Sequence, residues 1–175
     1  WLESIEIDEE SGKIALNALV AESEHLRTSI LNITRQIKKL SQSETYYENV
    51  ILLRSVPGIG LLTAMSILTE LETINRFNNL DKLCSFIGLV PSTHSSGEHD
   101  NTGEITPRGH TILRAAIIES AWVAIRNDQA LLKSYLDYCK RMEPNKAIVR
   151  IAKKLISRIK YVLKNKQPYV LSLVQ

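Results

Sequence analysis

The stretch Leu52 to Leu68, LLRSVPGIGLLTAMSIL, constrains the fold more than any other part of the chain. A helical run of apolar residues meets Pro57, which stops it, and a second run starts within three residues. Gly58 and Gly60 permit positive φ and a close approach of the backbone to something bulky. Val56 and Ile59 are the apolar residues available to plug the gap between the two helices, and Ala64 is small enough to let the first helix pack against the second.

Two helices joined in this way have the pattern of a helix-hairpin-helix, which grips a nucleic-acid backbone without reading bases. Pro57, Gly58, Ile59 and Gly60 are then the candidate DNA-backbone contacts, because free amides at the positive end of the second helix form an anion site. An ordinary corner between two helices, touching nothing outside the chain, fits the same residues.

The rest of the chain reads as helical around that turn. Between 13 and 43, Leu16, Leu19, Ser23, Leu26, Ile30, Ile33, Ile37 and Leu40 follow a spacing of three and four, a heptad seam with one polar interruption. A stripe this narrow cannot bury itself, so it needs a partner helix, either in a second copy of the chain or in its own globular part. Helices follow over 46–54, 61–72, 80–87, 106–127, 131–142 and 146–164. The expected class is all-α, a helix-hairpin-helix domain over 46–175 behind an acidic lead-in and a long coiled-coil helix over 1–45. Thr106 and Pro107 supply an N-cap and a first-turn proline for the helix that ends near Asn127. The run Ile87-Gly88-Leu89-Val90-Pro91 repeats weakly the character of the first turn, which suggests a second, degenerate hairpin packed against it.

Charge is unevenly placed. The chain carries a net +3, yet residues 140–166 hold ten Lys and Arg against Glu143 alone, so the remainder is net acidic. Lys146, Arg150, Lys153, Lys154 and Arg158 make a candidate nucleic-acid face on the last helix, although a solvated basic face needs no partner. Cys84 and Cys139 have no neighbouring Cys-His spacing suited to zinc, which fits a reducing cytoplasm, and no metal is expected in this chain. No apolar run is long enough to cross a bilayer. The chain opens on Trp1, and it is expected to be a fragment of a longer protein.

Residues 92–105, STHSSGEHDNTGEI, form a polar loop with room for a short strand hairpin at most. It holds Ser92, His94, Ser95, Ser96 and His99, and it runs toward Arg108, His110 and Arg114. A serine ahead of cationic groups at a helix start is a sensible arrangement for attack on a phosphodiester. Solvated surface residues give the same pattern. A triad of His94, Ser96 and Asp100 lacks the strand-turn-helix context of a nucleophile elbow, and neighbouring His99 and Asp100 fix no metal geometry.

Three runs in order, LLRSVPGIGLLTAMSILTEL, RFNNLDKLCSFIGLVPSTHSSGEHDNTGEITPRGHTILRAAIIESAW and KAIVRIAKKLISRIKYVLK, resemble the C-terminal domain of the insertion sequence one-ten family of DEDD transposases, RNA-bridged DNA recombinases. The resemblance covers roughly 46–165, and the heptad helix is similar to the family's coiled coil. It implies a nucleophilic serine at Ser96, followed by Gly97, with Ser95 as the fallback. Arg108, His110 and Arg114 fall in the segment where phosphate support is expected. It also implies an N-terminal RuvC-like domain, outside this chain, whose four acidic residues hold magnesium. DNA is the implied partner, with a guide RNA and a homodimer or tetramer formed through the coiled coil. Pro107, where the family usually has a basic residue, and the acidic Glu98, Asp100 and Glu104 depart from the pattern and point to weaker backbone contact. A non-catalytic helix-hairpin-helix binding module and a dimerisation scaffold are the alternatives.

Overall fold

The computed structural model describes residues 4–5, 7–96, 99–105 and 109–171; of 91–96 and 99–105 it describes the backbone. The chain divides into two units, Trp1–Gln42 and Ser43–Gln175.

The first unit is one helix, α1 (Glu10–Leu40), 31 residues long and about 46 Å by the usual rise. None of its residues is buried. Leu19, Leu26, Ile30, Ile33 and Leu40 of the heptad seam are all exposed, Leu19 at 70%. The periodicity therefore gives the helix and its apolar face, and the described residues of that face are exposed or half-buried.

The second unit contains α2 (Tyr47–Arg54), α3 (Leu61–Leu71), a 3-10 turn (Ile74–Arg76), α4 (Leu80–Ile87), strands β1 (Pro91–Ser96) and β2 (His99–Ile105), then α5 (Thr111–Asn127), α6 (Gln129–Cys139) and α7 (Pro144–Asn165). The class is all-α with, among the described residues, one two-stranded antiparallel hairpin, so most of the polar loop is paired strand.

Helix α7 is the spine. It packs on α5, α6, α2, α4 and the 3-10 turn, and α5 packs in turn on α3 and α6. Pro144 opens α7 at a position where its missing N–H costs nothing. Ala147, Ile148, Ile151, Ala152, Leu155, Ile156, Ile159, Val162 and Leu163 are buried, a broad apolar face in place of a narrow seam. Each large aliphatic buried in this way contributes about 1.5–3 kcal/mol of transfer free energy. Leu53, Ile67, Leu83, Leu113, Ile117 and Leu131 add to the core from the other helices, and Leu89 from the stretch after α4.

Local signals explain where the helices start and stop. Asn79 caps α4 by accepting the Lys82 N–H at 2.9 Å, and Gly88 ends it in the left-handed conformation. Helix α5 differs from expectation: it starts at Thr111, capped by His110, and not at Thr106-Pro107. Gly109 sits at φ +119, outside any helical path, and so separates α5 from the residues before it. Thr106, Pro107 and Arg108 lie outside the described residues. Among described residues, no helix is long and apolar enough to cross a membrane.

Candidate nucleic-acid processing site

The turn between α2 and α3 is built as its sequence suggests in one respect and differently in another. Val56 and Ile59 are buried and plug it, and Ala64 is wholly buried. Gly58 has φ +85, and a Cβ there would lie 2.2 Å from the Ser120 carbonyl oxygen of α5. The close approach that this glycine permits is therefore to the chain's own central helix. Gly60 departs from the expected positive φ: it is the N-cap of α3 at φ −84, and a Cβ added to it meets nothing within 4 Å. Of the two glycines, Gly60 is the one open to an approaching ligand.

Behind the turn lies a clasp that sequence reading missed. Asp128 is only 1% exposed. One of its oxygens caps α6 by accepting the Leu131 N–H at 3.0 Å, while the other accepts from Arg158 Nη1 at 2.6 Å and the Tyr169 hydroxyl at 2.8 Å. The Tyr169 ring lies under the Arg158 guanidinium, 4.7 Å away, and the Tyr169 N–H donates to Ser55 Oγ at the C-cap of α2. Burial pushes the Asp128 carboxyl up, but the Leu131 amide, the Tyr169 hydroxyl and Arg158 together outweigh it and hold the group below the ordinary carboxylate range. Burial, and after it the hydrogen bond to Asp128, push the Tyr169 phenol up.

The strand hairpin grows from a second glycine contact. A Cβ on Gly109 would lie 2.6 Å from the Gly88 Cα, so the backbones entering β1 and leaving β2 meet there. The anticipated second hairpin packed on the first turn is replaced by this junction. The His110 N–H donates to the Phe86 carbonyl at 3.2 Å, and Arg114 Nη1 donates to the Gly88 carbonyl at 3.3 Å. His110 Nδ1 accepts the Leu113 N–H at 3.4 Å, while Nε2 meets Glu70 Oε2 of α3 at 2.7 Å. Phe86 stands beside the His110 ring, and Arg76 covers Phe86 and Phe77 at 5.1 and 5.0 Å.

The sequence-predicted residues can now be placed. Ser96 ends β1 in register with His99, and Ser95 is in register with Asp100, so the backbone puts Ser96 at the last paired position before residues 97–98. The side chain of Ser96 and the whole of Arg108 lie outside the described residues. His110 and Arg114 come together at the hairpin root, both bonded to the chain itself. A shift in strand register between Pro91 and Thr93 marks a bulge near that root.

The basic face of α7 is narrower than its composition. Arg158 does not belong to it, because its guanidinium is paired with buried Asp128. Lys154 donates to Ser134 Oγ at 2.9 Å and lies over the Tyr138 ring. Lys146 and Arg150 are exposed and Lys153 is half-buried, so these three form the outward row, with exposed Lys164 further along the helix. Lys160 donates to the Phe77 carbonyl at 3.0 Å, next to Arg76. Among the described residues, no three His, Cys, Asp or Glu side chains converge as a metal site.

A model of the Transposase IS116/IS110/IS902 family matches residues 51–137, from within α2 through the turn, the hairpin and most of α6. The chain belongs to this transposase family. The transposase for insertion sequence element IS1111A of Coxiella burnetii is 32% identical over 115 residues, covering 66% of this chain and 31% of that protein. The probable family 20 transposase of Pseudomonas aeruginosa is 28% identical over 111 residues, 63% of this chain and 32% of that protein. The insertion element IS110 43.6 kDa protein of Streptomyces coelicolor is 33% identical over 108 residues, covering 60% and 26%. The chain thus spans a third or less of the length of each of these relatives. The transposase match takes in both the Gly58 turn and the hairpin root.

Proposed function

We propose that this chain is the part of a DNA transposase that supplies a serine nucleophile for strand breakage and rejoining, with Ser96 as that residue. The observation that supports the reading is the backbone position of Ser96, at the end of a hairpin strand rooted on the family-matched core. In the reaction, Ser96 Oγ attacks a DNA phosphorus, forms a P–Oγ bond and loses its proton. The bond from phosphorus to one deoxyribose oxygen breaks, and the released sugar hydroxyl takes up a proton. Reversal with a different hydroxyl rejoins strands without an outside energy source.

Magnesium belongs, in this reading, to acidic residues of a preceding RuvC-like domain, where it would polarise phosphate oxygens; the described residues here offer no cluster to hold it. Lys146, Arg150 and Lys153 take a nucleic-acid backbone, DNA or guide RNA, along α7. The exposed seam residues of α1 pair with further copies of the chain as a dimer or tetramer. Arg114 and His110 act by holding the hairpin.

Covalent trapping with DNA in the complete recombinase tests the serine. Denaturant-resistant adduct in wild type and none in Ser96→Ala is the expected result. Adduct formation by Ser96→Ala removes Ser96 from the role. DNA binding with no adduct in either protein favours a pure binding module.

A further inference from the structure

Glu70 is a carboxylate in an electrostatically poor place on its own helix. It lies in the last turn of α3, where unpaired carbonyls make the helix end negative. Its carboxylate instead reaches the N-terminus of α5, 2.7 Å from His110 Nε2. His110 is an unusual cap, since Ser, Thr, Asp and Asn are the ordinary choices. Every hydrogen-bonding group of His110 is engaged. The backbone N–H goes to Phe86, the carbonyl accepts from Arg114, Nδ1 accepts from Leu113, and Nε2 is left to carry the proton toward Glu70. Because Nδ1 accepts, the ring has one tautomer, and the carboxylate sets its plane.

This arrangement ties three elements at one residue. Helix α3 holds the ring, α4 holds the backbone of His110, and α5 begins from it. The residue before it, Gly109, presses on Gly88, where the path into β1 begins. A shift of the His110 ring is therefore carried directly into the junction from which both strands leave.

The geometry points to Glu70 as a positioning residue: through His110 it fixes the root of the strand hairpin and so the pose in which Ser96 meets its phosphate. The inference rests on Ser96 being the nucleophile, and the test separates the two.

Glu70→Ala and Glu70→Gln are compared with wild type and Ser96→Ala in two measurements on the complete recombinase, adduct formation with DNA and amide hydrogen exchange across residues 86–114. Glu70→Ala is expected to slow adduct formation by about tenfold or more, since small misplacements near a reacting centre have costs of this size. DNA affinity should stay unchanged, and exchange should quicken at the root alone. Glu70→Gln is expected to restore most of the rate, because its amide oxygen still accepts the Nε2 proton. Wild-type adduct rates in Glu70→Ala overturn the positioning role. So does equal loss in both variants, which would mean that the carboxylate acts in some other way. Unchanged exchange in Glu70→Ala overturns the tether itself, whatever the chemistry. Adduct that persists in Ser96→Ala sinks the serine reading and, with it, the positioning of Ser96, while the exchange result still decides whether Glu70 holds the root.

Discussion

The Gly58 turn and the Gly88–Gly109 junction both use glycine where two stretches of backbone touch, yet half-buried Gly58 meets buried residues of α5, whereas buried Gly88 meets Gly109, which is exposed. Gly58 faces α5 from between the buried residues Val56 and Ile59, and the Asp128 clasp is tied through Tyr169 to the helix end just before it. The junction is held by a half-exposed contact between His110 and Glu70 and by single hydrogen bonds to carbonyls. A glycine motif thus says that something approaches closely, and its surroundings say whether that something is the protein itself.

Gly58→Ala is the harshest way to break this contrast. It adds left-handed strain of about 1–2 kcal/mol and forces α5 away from a contact that would fall at 2.2 Å. A total loss of about 3–5 kcal/mol, read by denaturant unfolding, is expected for overpacking against backbone combined with strain. A mild effect would show that the turn is looser than its burial indicates.

Asp128→Ala should come close behind, at about 3 kcal/mol or somewhat more, because it leaves the Arg158 charge without its buried partner and uncaps α6. The pH dependence has a definite sign. The Asp128 carboxyl is held below its ordinary range in the folded state, so its stabilisation is fully present above the unfolded value of about 3.9 and is lost as pH falls through the lower folded value. Wild type should therefore lose melting temperature more steeply than Asp128→Asn in that acid window. Parallel curves would remove Asp128 from the clasp.

Gly109→Ala should have an intermediate effect, about 1–3 kcal/mol from strain at φ +119, with rapid hydrogen exchange confined to the root. Global unfolding by the same change would erase the distinction between the turn closed by α5 and the junction that opens to solvent at Gly109. Gly60→Ala should cost only about 1 kcal/mol or less, the preference of an N-cap for glycine over alanine, since its φ suits any residue and its surroundings are open. Gly60, and not Gly58, is therefore the position at which a bulky side chain tests ligand approach without disturbing the core.

Much of this architecture was legible in residues of local effect. Pro57 and Gly88 mark helix ends that the structure keeps within a few residues. The start of α5 was not legible, because Thr106-Pro107 satisfies every local rule for a helix start, whereas the decisive constraint is a contact between Gly109 and Gly88, far apart in sequence. Arg158 reads as one more cation on a basic helix until the fold brings Asp128 beneath it. Glu70 carries no sequence signal beyond an acid at the wrong end of an apolar helix. For α1 the limit is of another kind: periodicity specifies a face and says nothing of what, if anything, occupies it.

The meeting of Gly88 and Gly109 makes the segment between them an interchangeable cassette. Both of its ends leave the core at one point, so a longer or shorter hairpin can be grafted there without moving a helix, and each doubling of a flexible loop costs only about 0.6 kcal/mol in closure entropy. The length of this arm can therefore be changed by design with the helical body left as it is, provided that both anchoring glycines are kept together.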